Sequence, residues 1–500
     1  MNWAGKKILV LGLGESGLAM ARWSAYCGAS VCVADTREKP DRLQNLQTEL
    51  PQAGFVSGPF SAAGLGLDVF DIVAVSPGLR PDVELKEILP FAREHGIPVW
   101  SEIEMFACAL KNLEEERQYK PKVIAVTGTN GKTTVTSLTG HMCRQAGKTV
   151  RLAGNISPAA LDVLLEVIEG NRLPEVWVLE LSSFQLFATY SLEPDAATVL
   201  NLTQDHLDWH GSMQAYGAAK ERIFGRKTIQ VLNREDEAVM KMGKSGTKAV
   251  TFGTDEPAGP GSFGLHADRG MVWLSVASVA DDGIVRKSRT NDIPVETVIR
   301  NLMPADALKI RGRHNAGNAL AALALCRAID LPFAPLLQAL KDYRGEPHRV
   351  ELVATVREVA YFDDSKGTNV GATVAAVGGL GASTGSGKRN IILIAGGLGK
   401  DQDFSPLSSV VSRYVKAVML IGKDAVRIHD ALSRTGALLA YCDSLEEAVV
   451  HASEIAVKSD IVLLSPACAS MDMFRNYAHR SEVFIAQVHR LESTEKGAVS

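Results

Sequence analysis

The chain lacks the features that mark several large protein classes. No apolar run approaches the roughly 18 residues that cross a membrane; the best, Ile461–Leu464 and Ile391–Ala395, are strand-sized. Lys6 and Lys7 precede an apolar segment, as in a secretory leader. However, Ile8–Leu13 is short, and Gly12, Gly14 and Glu15 break it up, so it reads as a first β-strand. The seven cysteines are odd in number, scattered and never spaced Cys-x-x-Cys. They read as reduced structural residues of a cytoplasmic protein rather than a disulfide framework. The 53 Lys+Arg nearly balance the 57 Asp+Glu, for a formal charge of -4. That balance argues against a basic nucleic-acid binder and against an acidic disordered tail. No repeat of fixed period is present.

What remains is a globular profile, 46% hydrophobic and 22% charged. At roughly 150 residues per domain, 500 residues suggest about three domains. Strand-like apolar runs alternate with helix-like segments, the pattern of α/β domains with mostly parallel sheets. Ile8–Leu11, Ser30–Ala34 and Ile72–Val75 belong to a first unit, residues 1–110. The charged stretch Lys111–Lys122 is a helix end plus linker. Val123–Thr127 opens a second unit, residues 111–345, with strands Trp177–Leu181 and Ala197–Leu200. Between Thr251 and Ile310, Gly, Pro and Asp separate short apolar pairs, as in a small β-rich annex or long loops. The helix Asn315–Ile329 follows, with a buried Ala/Leu face. Strands Val359–Phe362, Asn390–Ala395, Ala417–Ile421 and Asp460–Leu464 make a third unit, residues 346–500. The Gly/Ser-rich segment Gly378–Gly387 is expected to be a flexible surface loop.

Gly128-Thr129-Asn130-Gly131-Lys132-Thr133-Thr134 follows a strand and opens a helix. That is the setting of a phosphate loop: glycines turn backbone N–H groups toward phosphate oxygens, and the helix N-terminus adds its positive end. Lys132 reaches the β- and γ-phosphates, and the Thr133 hydroxyl can bind Mg²⁺. The match is incomplete, because Val126 stands where the first glycine of the usual pattern falls. Glu180 ends the strand Val176–Leu181, placed to hold Mg²⁺ beside the loop. His206 follows the strand Ala197–Leu200. Lys220 lies on a helix, Tyr216–Phe224, where alone it would read as a solvated lysine. In the first unit, Gly12-x-Gly14-x-x-Gly17 follows a strand, and Asp35 ends the second strand. This spacing specifies a diphosphate at a helix N-terminus with a polar side chain reading the nucleoside; it does not specify which nucleotide.

The variant Gly-Thr-Asn-Gly-Lys resembles the Mur ligase superfamily, the peptidoglycan amino-acid ligases and folylpolyglutamate synthetases, and further motifs follow in order over nearly the whole chain. The resemblance implies a Rossmann-like N-terminal domain, a central P-loop ATPase-type domain with a mostly parallel sheet, and a Rossmann-like C-terminal domain. It implies amide-bond formation with ATP and two Mg²⁺ ions. Glu180, His206, Thr133 and Lys220 match metal positions, Lys220 where the family carries a carbamylated lysine; Lys132, His206 and Lys220 match catalytic ones. ATP would contact Gly128 through Thr134, then Asn315 and Asn318 of Arg311-Gly312-Arg313-His314-Asn315, Arg349 at the phosphates and Asp364 at the ribose.

Gly14, Ser16, Asp35-Thr36-Arg37 and Ser76-Pro77-Gly78 resemble the UDP-contacting segments of the D-glutamate-adding member. Asn155 matches a position near the substrate. Lys366, Thr368, Lys400, Ser470, Met471 and Tyr477 match the amino-acid end, with Lys400 and the backbone of Ser470 and Met471 on a carboxylate. The implied small-molecule partners are UDP-N-acetylmuramoyl-L-alanine and D-glutamate, with no nucleic acid, no membrane insertion and a monomeric enzyme. Gly367 where Ala is common, Thr133-Thr134 where Ser-Thr is frequent, and Tyr477 where Phe often stands are mild departures. A family member adding another amino acid, or extending folate, would share Lys132, Glu180 and Lys220 but lack the two UDP segments. A nicotinamide-dependent oxidoreductase or nucleotide sensor built on Gly12-x-Gly14-x-x-Gly17 would leave the phosphate loop and third unit unexplained.

Overall fold

The computed structural model describes residues 2–244, 246–279, 297–383 and 389–498. Their strands form three sheets in chain order. The first holds β1 (Lys7–Leu11), β2 (Ser30–Asp35), β3 (Gly54–Ser57), β4 (Ile72–Val75) and β5 (Val99–Trp100), all parallel, in the order β3-β2-β1-β4-β5. The strand order reverses between β1 and β4. The loops leaving these two strands therefore diverge around a crevice at the strands' carboxyl ends, where such sheets take ligands.

The second sheet holds β6 (Lys122–Thr127), β7 (Val150–Gly154), β8 (Val176–Glu180), β9 (Ala196–Val199), β10 (Ile229–Asn233), β11 (Ala249–Phe252), β12 (Phe263–Asp268), β13 (Met271–Val279) and β14 (Thr297–Pro304). Its order is β14-β13-β12-β11-β10-β9-β6-β8-β7. The β-rich annex is thus an antiparallel extension, β12 to β14, of a parallel sheet; its residues 280–296 lie outside the described ones. The third sheet holds β15 (Glu351–Val356), β16 (Val359–Asp363), β17 (Ile391–Gly396), β18 (Val415–Ile421), β19 (Leu438–Tyr441) and β20 (Ile461–Leu464), in the order β15-β16-β20-β17-β18-β19. Only β15 runs antiparallel to its neighbour. The strands β6, β8, β17 and β20 are almost wholly buried and read as continuous apolar runs because helices cover both faces.

The helices that bear on function are α1 (Glu15–Tyr26), α2 (Glu102–Arg117), α3 (Lys132–Gln145), α4 (Ala160–Glu169), α5 (Ser183–Phe187), α6 (Met213–Glu221), α7 (Arg313–Ala328), α8 (Val370–Ser383) and α9 (Tyr477–Ala498). The division expected after residue 110 falls inside α2, whose charged last turns extend to Arg117. Leu138 and Met142 of α3 pack with Leu320 and Leu323 of α7 in one core, which seats the phosphate-loop helix. The expected loop at Gly378–Gly387 is corrected in its first part: Gly378 to Ser383 finish α8, and residues 384–387 lie outside the described ones. Glycine composition misled here. Gly379 is needed for close packing, since a Cβ on it would come 2.8 Å from the His314 ring of α7. Among the described residues no helix is long and apolar enough to cross a membrane.

The first glycine loop shows why its residues are fixed. Gly12 has φ +84°, and a Cβ on Gly17 would lie 1.9 Å from the Gly12 carbonyl oxygen. The Ser76 hydroxyl donates to that same carbonyl at 2.8 Å, tying the loop after β4 to the loop after β1. Gly17→Ala therefore forces the loop open; it is expected to lower stability by roughly 1–3 kcal/mol, as overpacking does. Thermal unfolding measures this, and an unchanged midpoint would contradict the close approach.

Candidate active site

Three strand ends build the centre. β6 lies between β8 and β9, so the phosphate loop after β6 is flanked by Glu180 at the end of β8 and by Asn201–His206 after β9. Gly128 (φ +156°) and Gly131 (φ +83°) shape the loop, and Gly131 is the N-cap of α3. The loop is held from β9: Thr129 N–H donates to the Asn201 carbonyl at 3.0 Å, and Asn130 N–H to Asn201 Oδ1 at 2.8 Å. Lys132 Nζ folds back to donate to the carbonyls of Gly128 and Thr129, both at 3.0 Å. Burial lowers its pKa.

Lys220 is not a solvated lysine. It is 1% exposed, and Nζ donates to the Gly128 carbonyl at 2.8 Å and to Thr127 Oγ1 at 3.3 Å. Burial, then the neighbouring Lys132, pushes its pKa well below the ordinary lysine value. Glu180 is 2% exposed; its Oε1 accepts from Asn155 Nδ2 at 2.9 Å, and its Oε2 is buried with no protein partner. A buried carboxylate oxygen left open beside a phosphate loop fits a cation ligand. Thr133 Oγ1 accepts from Arg349 at 2.8 Å, which brings the third unit onto the phosphate loop. His206 sits in the left-handed region (φ 55°), with Nε2 3.4 Å from Asp205 Oδ2.

Two cavities open from this centre. One, about 750 Å³, is lined by Asn130, Gly131, Thr134, Asn315, Asn318, Arg349 and Asp364, so seven of the expected nucleotide residues share one wall. Asn315 Oδ1 accepts from Asn318 Nδ2 at 3.1 Å. Asp364 accepts from the Ser465 hydroxyl at 2.7 Å, and burial raises its pKa to about 7. Gly367 suits this loop, because a Cβ there would lie 2.6 Å from Asp364 Oδ2. The other cavity, about 510 Å³, joins all three units: Glu15, Ser16 and Pro77 from the first, Asn155–Ser157 and Gln185 from the second, Lys366 and Tyr477 from the third.

The remaining expected residues sit around these cavities without lining them. Asp35 braces the first glycine loop: Oδ2 accepts from Leu13 N–H at 2.7 Å, and Arg37 pairs with it at 2.8 Å. Burial opposes the charge, but those contacts more than offset it and lower the carboxyl to about 2. Gly14, Thr36, Arg37 and Gly78 are exposed at the same edge, beside half-buried Ser76. In the third unit, Leu398 and Ala469 exchange backbone hydrogen bonds, which brings the loops bearing Lys400 and Ser470–Met471 side by side. Lys400 Nζ lies 3.8 Å from Asp205 Oδ1. Thr368 is half-buried just before α8, and Met471 is exposed.

Sequence reasoning gave no role to three residues that carry this assembly. Asp205 answers both His206 and Lys400. Asn369 Nδ2 donates to Asn130 Oδ1 at 2.9 Å and to Asp205 Oδ2 at 3.3 Å. Arg480 is fully buried and donates to the Ser365 and Cys468 carbonyls, binding two strand-end loops together. Asp205 adjoins His206 and Asn369 adjoins Thr368, both named from the sequence, so their position was a signal; nothing in the sequence around Arg480 distinguishes it from a helix-surface arginine.

Burial pushes the imidazoles of His206 and His210 down to about 4. The unfolded chain, with imidazoles near 6.5, therefore takes up protons that the folded one refuses. Stability is full above about pH 6.5 and falls as pH drops toward 4. His210→Gln is expected to flatten the fall of the thermal midpoint between pH 6.5 and 4; an unchanged slope would contradict the burial argument.

Comparison with known proteins agrees with this geometry. The description "Mur ligase middle domain" matches residues 126–326, "Mur ligase, glutamate ligase domain" residues 348–468, and "Mur ligase MurD-like, N-terminal domain" residues 6–101. A relative from Cupriavidus pinatubonensis, named UDP-N-acetylmuramoylalanine--D-glutamate ligase, is 58% identical over 97% of both chains. One of the same name from Ralstonia nicotianae is 56% identical over 95% of both. Among solved structures, the Thermotoga maritima UDP-N-acetylmuramate-alanine ligase superposes with a TM-score of 0.55 at 23% identity, covering 98% of this chain and 99% of that one. The Thermotoga maritima MurF ligase in complex with ADP gives 0.59 at 14%, covering 98% and 96%. At those identities the structures speak to the fold alone. With three matched domains in order and relatives above half identity over nearly its full length, the chain belongs to the Mur ligase family.

Proposed function

We propose that this enzyme joins D-glutamate to the L-alanyl carboxylate of UDP-N-acetylmuramoyl-L-alanine, with ATP cleaved to ADP and phosphate, in cytoplasmic synthesis of peptidoglycan precursors. The observation that carries the reading is a charged centre linked to both cavities. Glu180 bonds Asn155, which lines the three-unit cleft, and its charge acts on Lys132 of the phosphate loop, whose neighbours Asn130 and Gly131 line the nucleotide cavity. The name shared by the relatives supplies the amino acid.

In this reading the UDP diphosphate rests on the Gly12–Gly17 loop and the first turn of α1, with the Asp35–Arg37 edge at the uridine. Lys132 leaves the Gly128 and Thr129 carbonyls for the β- and γ-phosphate oxygens of ATP, and Arg349 supplies a second cation from across the domain gap. An oxygen of the L-alanyl carboxylate attacks the γ-phosphorus, and ADP departs with the bridging oxygen. The D-glutamate amine then attacks the acyl-phosphate carbon, loses a proton, and phosphate leaves with the original carboxylate oxygen. His206, neutral at working pH, can take that proton or offer its free lone pair to a metal. Lys400, Thr368 and the Ser470–Met471 backbone receive the amino-acid carboxylates, and Tyr477 packs beside Lys366, whose Nζ lies 5.3 Å from the ring centre.

Glu180 Oε2, Thr133 Oγ1, His206 and Lys220 are the residues that would hold two Mg²⁺ ions. Bound there, Mg²⁺ neutralises charge on the transferring phosphoryl group. Burial drives the Lys220 amine toward its neutral form, which suits carbamylation: its nitrogen adds to CO₂, releases a proton and becomes a carboxylate-like anion. Closure of the third domain about Gly345 (φ +99°) and His348 (φ +64°) fits the Arg349–Thr133 contact.

Phosphate release from ATP with UDP-N-acetylmuramoyl-L-alanine is expected only when D-glutamate is added. Release with L-glutamate, L-alanine or L-lysine in its place would overturn the amino-acid assignment. Glu180→Gln, which keeps the Asn155 contact but offers no anion, is expected to cut turnover by about 10²–10³-fold while UDP-substrate binding persists; steady-state kinetics and calorimetry read the two separately.

A further inference from the structure

The first turn of α2 belongs to the chain of the N-terminal sheet, yet its polar side chains are spent on the neighbouring domain. Glu102 is wholly buried, and its Oε1 accepts from Leu161 N–H at 2.7 Å, in the first turn of α4. That turn has no cap of its own, because its N-cap residue is Ala159; orphan first-turn amides need an acceptor, and Glu102 supplies one from another domain. Residues 154–159, which lead into α4, form one wall of the three-unit cleft through Asn155, Ile156, Ser157 and Ala159. Two residues on, Glu104 Oε2 accepts from Tyr190 N–H at 2.6 Å and Ser191 N–H at 2.9 Å. Ser101, the N-cap of α2, donates its N–H to the Ala188 carbonyl at 2.9 Å and bonds the Thr189 hydroxyl at 2.8 Å; that hydroxyl donates to the Gln185 carbonyl at 2.7 Å. Gln185 lines the cleft from α5.

We propose that the first turn of α2 is a clamp that fixes both central-domain walls of the UDP-sugar cleft, with Glu102 and Glu104 as its positioning residues. The inference rests on the substrate reading given above for that cleft. Glu102 holds the Asn155–Ala159 wall through α4, and Glu104 with Ser101 holds the α5 wall through residues 188–191. Glu15 of α1 bonds the exposed Ser157 hydroxyl and Arg22 makes a half-buried pair with Asp162 at 2.9 Å, but neither contact reaches residues 188–191. The contacts of Glu102 and Glu104 are buried or half-buried, where a carboxylate–amide bond is strongest and most costly to lose. Glu102 Oε2 has no hydrogen-bond partner, and burial pushes its carboxyl up to about 7, so the backbone of the α4 first turn is its main polar anchor. The nucleotide cavity shares no lining residue with the clamp.

The test compares wild type with Glu102→Ala, Glu104→Ala and the two Gln variants. Steady-state KM is measured for UDP-N-acetylmuramoyl-L-alanine and for ATP, and amide hydrogen exchange is measured over residues 155–162 and 183–191. Leaving buried backbone amides without their carboxyl acceptor predicts an about tenfold rise in KM for the UDP-sugar in each Ala variant, with the KM for ATP unchanged. Exchange is expected to quicken over 155–162 in Glu102→Ala and over 183–191 in Glu104→Ala. The Gln variants, whose side-chain carbonyl still accepts the same N–H groups, return both readouts toward wild type. Should an Ala variant fail to fold, the Asp variants, one methylene shorter, are expected to move the same readouts in the same direction. Equal shifts of both KM values, or wild-type exchange in both segments, would overturn the clamp. If wild type turns over no UDP-sugar, the substrate reading falls, and hydrogen exchange alone still decides the clamp.

Discussion

Positive charge crowded at the end of one buried strand is the constraint on which the rest depends. Lys132 and Lys220 both point at the carbonyls of the loop after β6, and Arg349 arrives from the third sheet at Thr133. Unpaired buried charges cost several kcal/mol each. The protein answers them in two ways. Glu180, at the end of β8, and Asp205, in the segment after β9, are buried as counter-charges, and the Lys220 amine is driven toward its neutral form. The sheet order serves this arrangement, since only a strand flanked by β8 and β9 can have an acid on each side. In the proposed function the phosphates of ATP complete the balance, reaching the centre from the 750 Å³ cavity lined by Asn130, Gly131 and Arg349.

The same constraint explains the division of labour among domains. The first and second domains are joined by buried carboxylate-to-backbone bonds from Glu102 and Glu104. The third is joined to the second by side-chain contacts among charged and amide groups: Arg349 on Thr133, Asn369 on Asn130 and Asp205, and Lys400 at 3.8 Å from Asp205. Arg349 and Lys400 are cations that a phosphate or carboxylate can draw away. In the proposed function this division fixes the cleft assigned to the UDP-sugar relative to the phosphate loop, while the third domain closes on it.

Much of this was legible in the residues. The strand, glycine loop, lysine and helix of Val123–Thr134 specified a phosphate site by local chemistry alone, and the order of motifs after strand ends specified three α/β units. Gly12-x-Gly14-x-x-Gly17 with Asp35 specified a diphosphate but could not tell a dinucleotide from UDP, because the loop geometry is the same for both. Lys220 was unreadable locally: an amphipathic helix shows its lysine as solvated until tertiary packing puts Tyr216 and the loop carbonyls around it. Gly378–Ser383 failed as a loop because glycine there serves helix-to-helix approach rather than chain flexibility. Arg480 and the α2 clamp depend on contacts more than 80 residues apart along the chain for Glu104 and more than 100 for Arg480, which no local pattern encodes.

The most direct test of the account is the fate of the carboxylate oxygen. UDP-N-acetylmuramoyl-L-alanine labelled with ¹⁸O in its terminal carboxylate is turned over with ATP and D-glutamate, and the released phosphate is weighed by mass spectrometry. Attack of that carboxylate on the γ-phosphorus predicts one ¹⁸O in each phosphate. Unlabelled phosphate, with both labelled oxygens kept by the organic product or lost to water, would contradict the assignment of the charged centre to phosphoryl transfer.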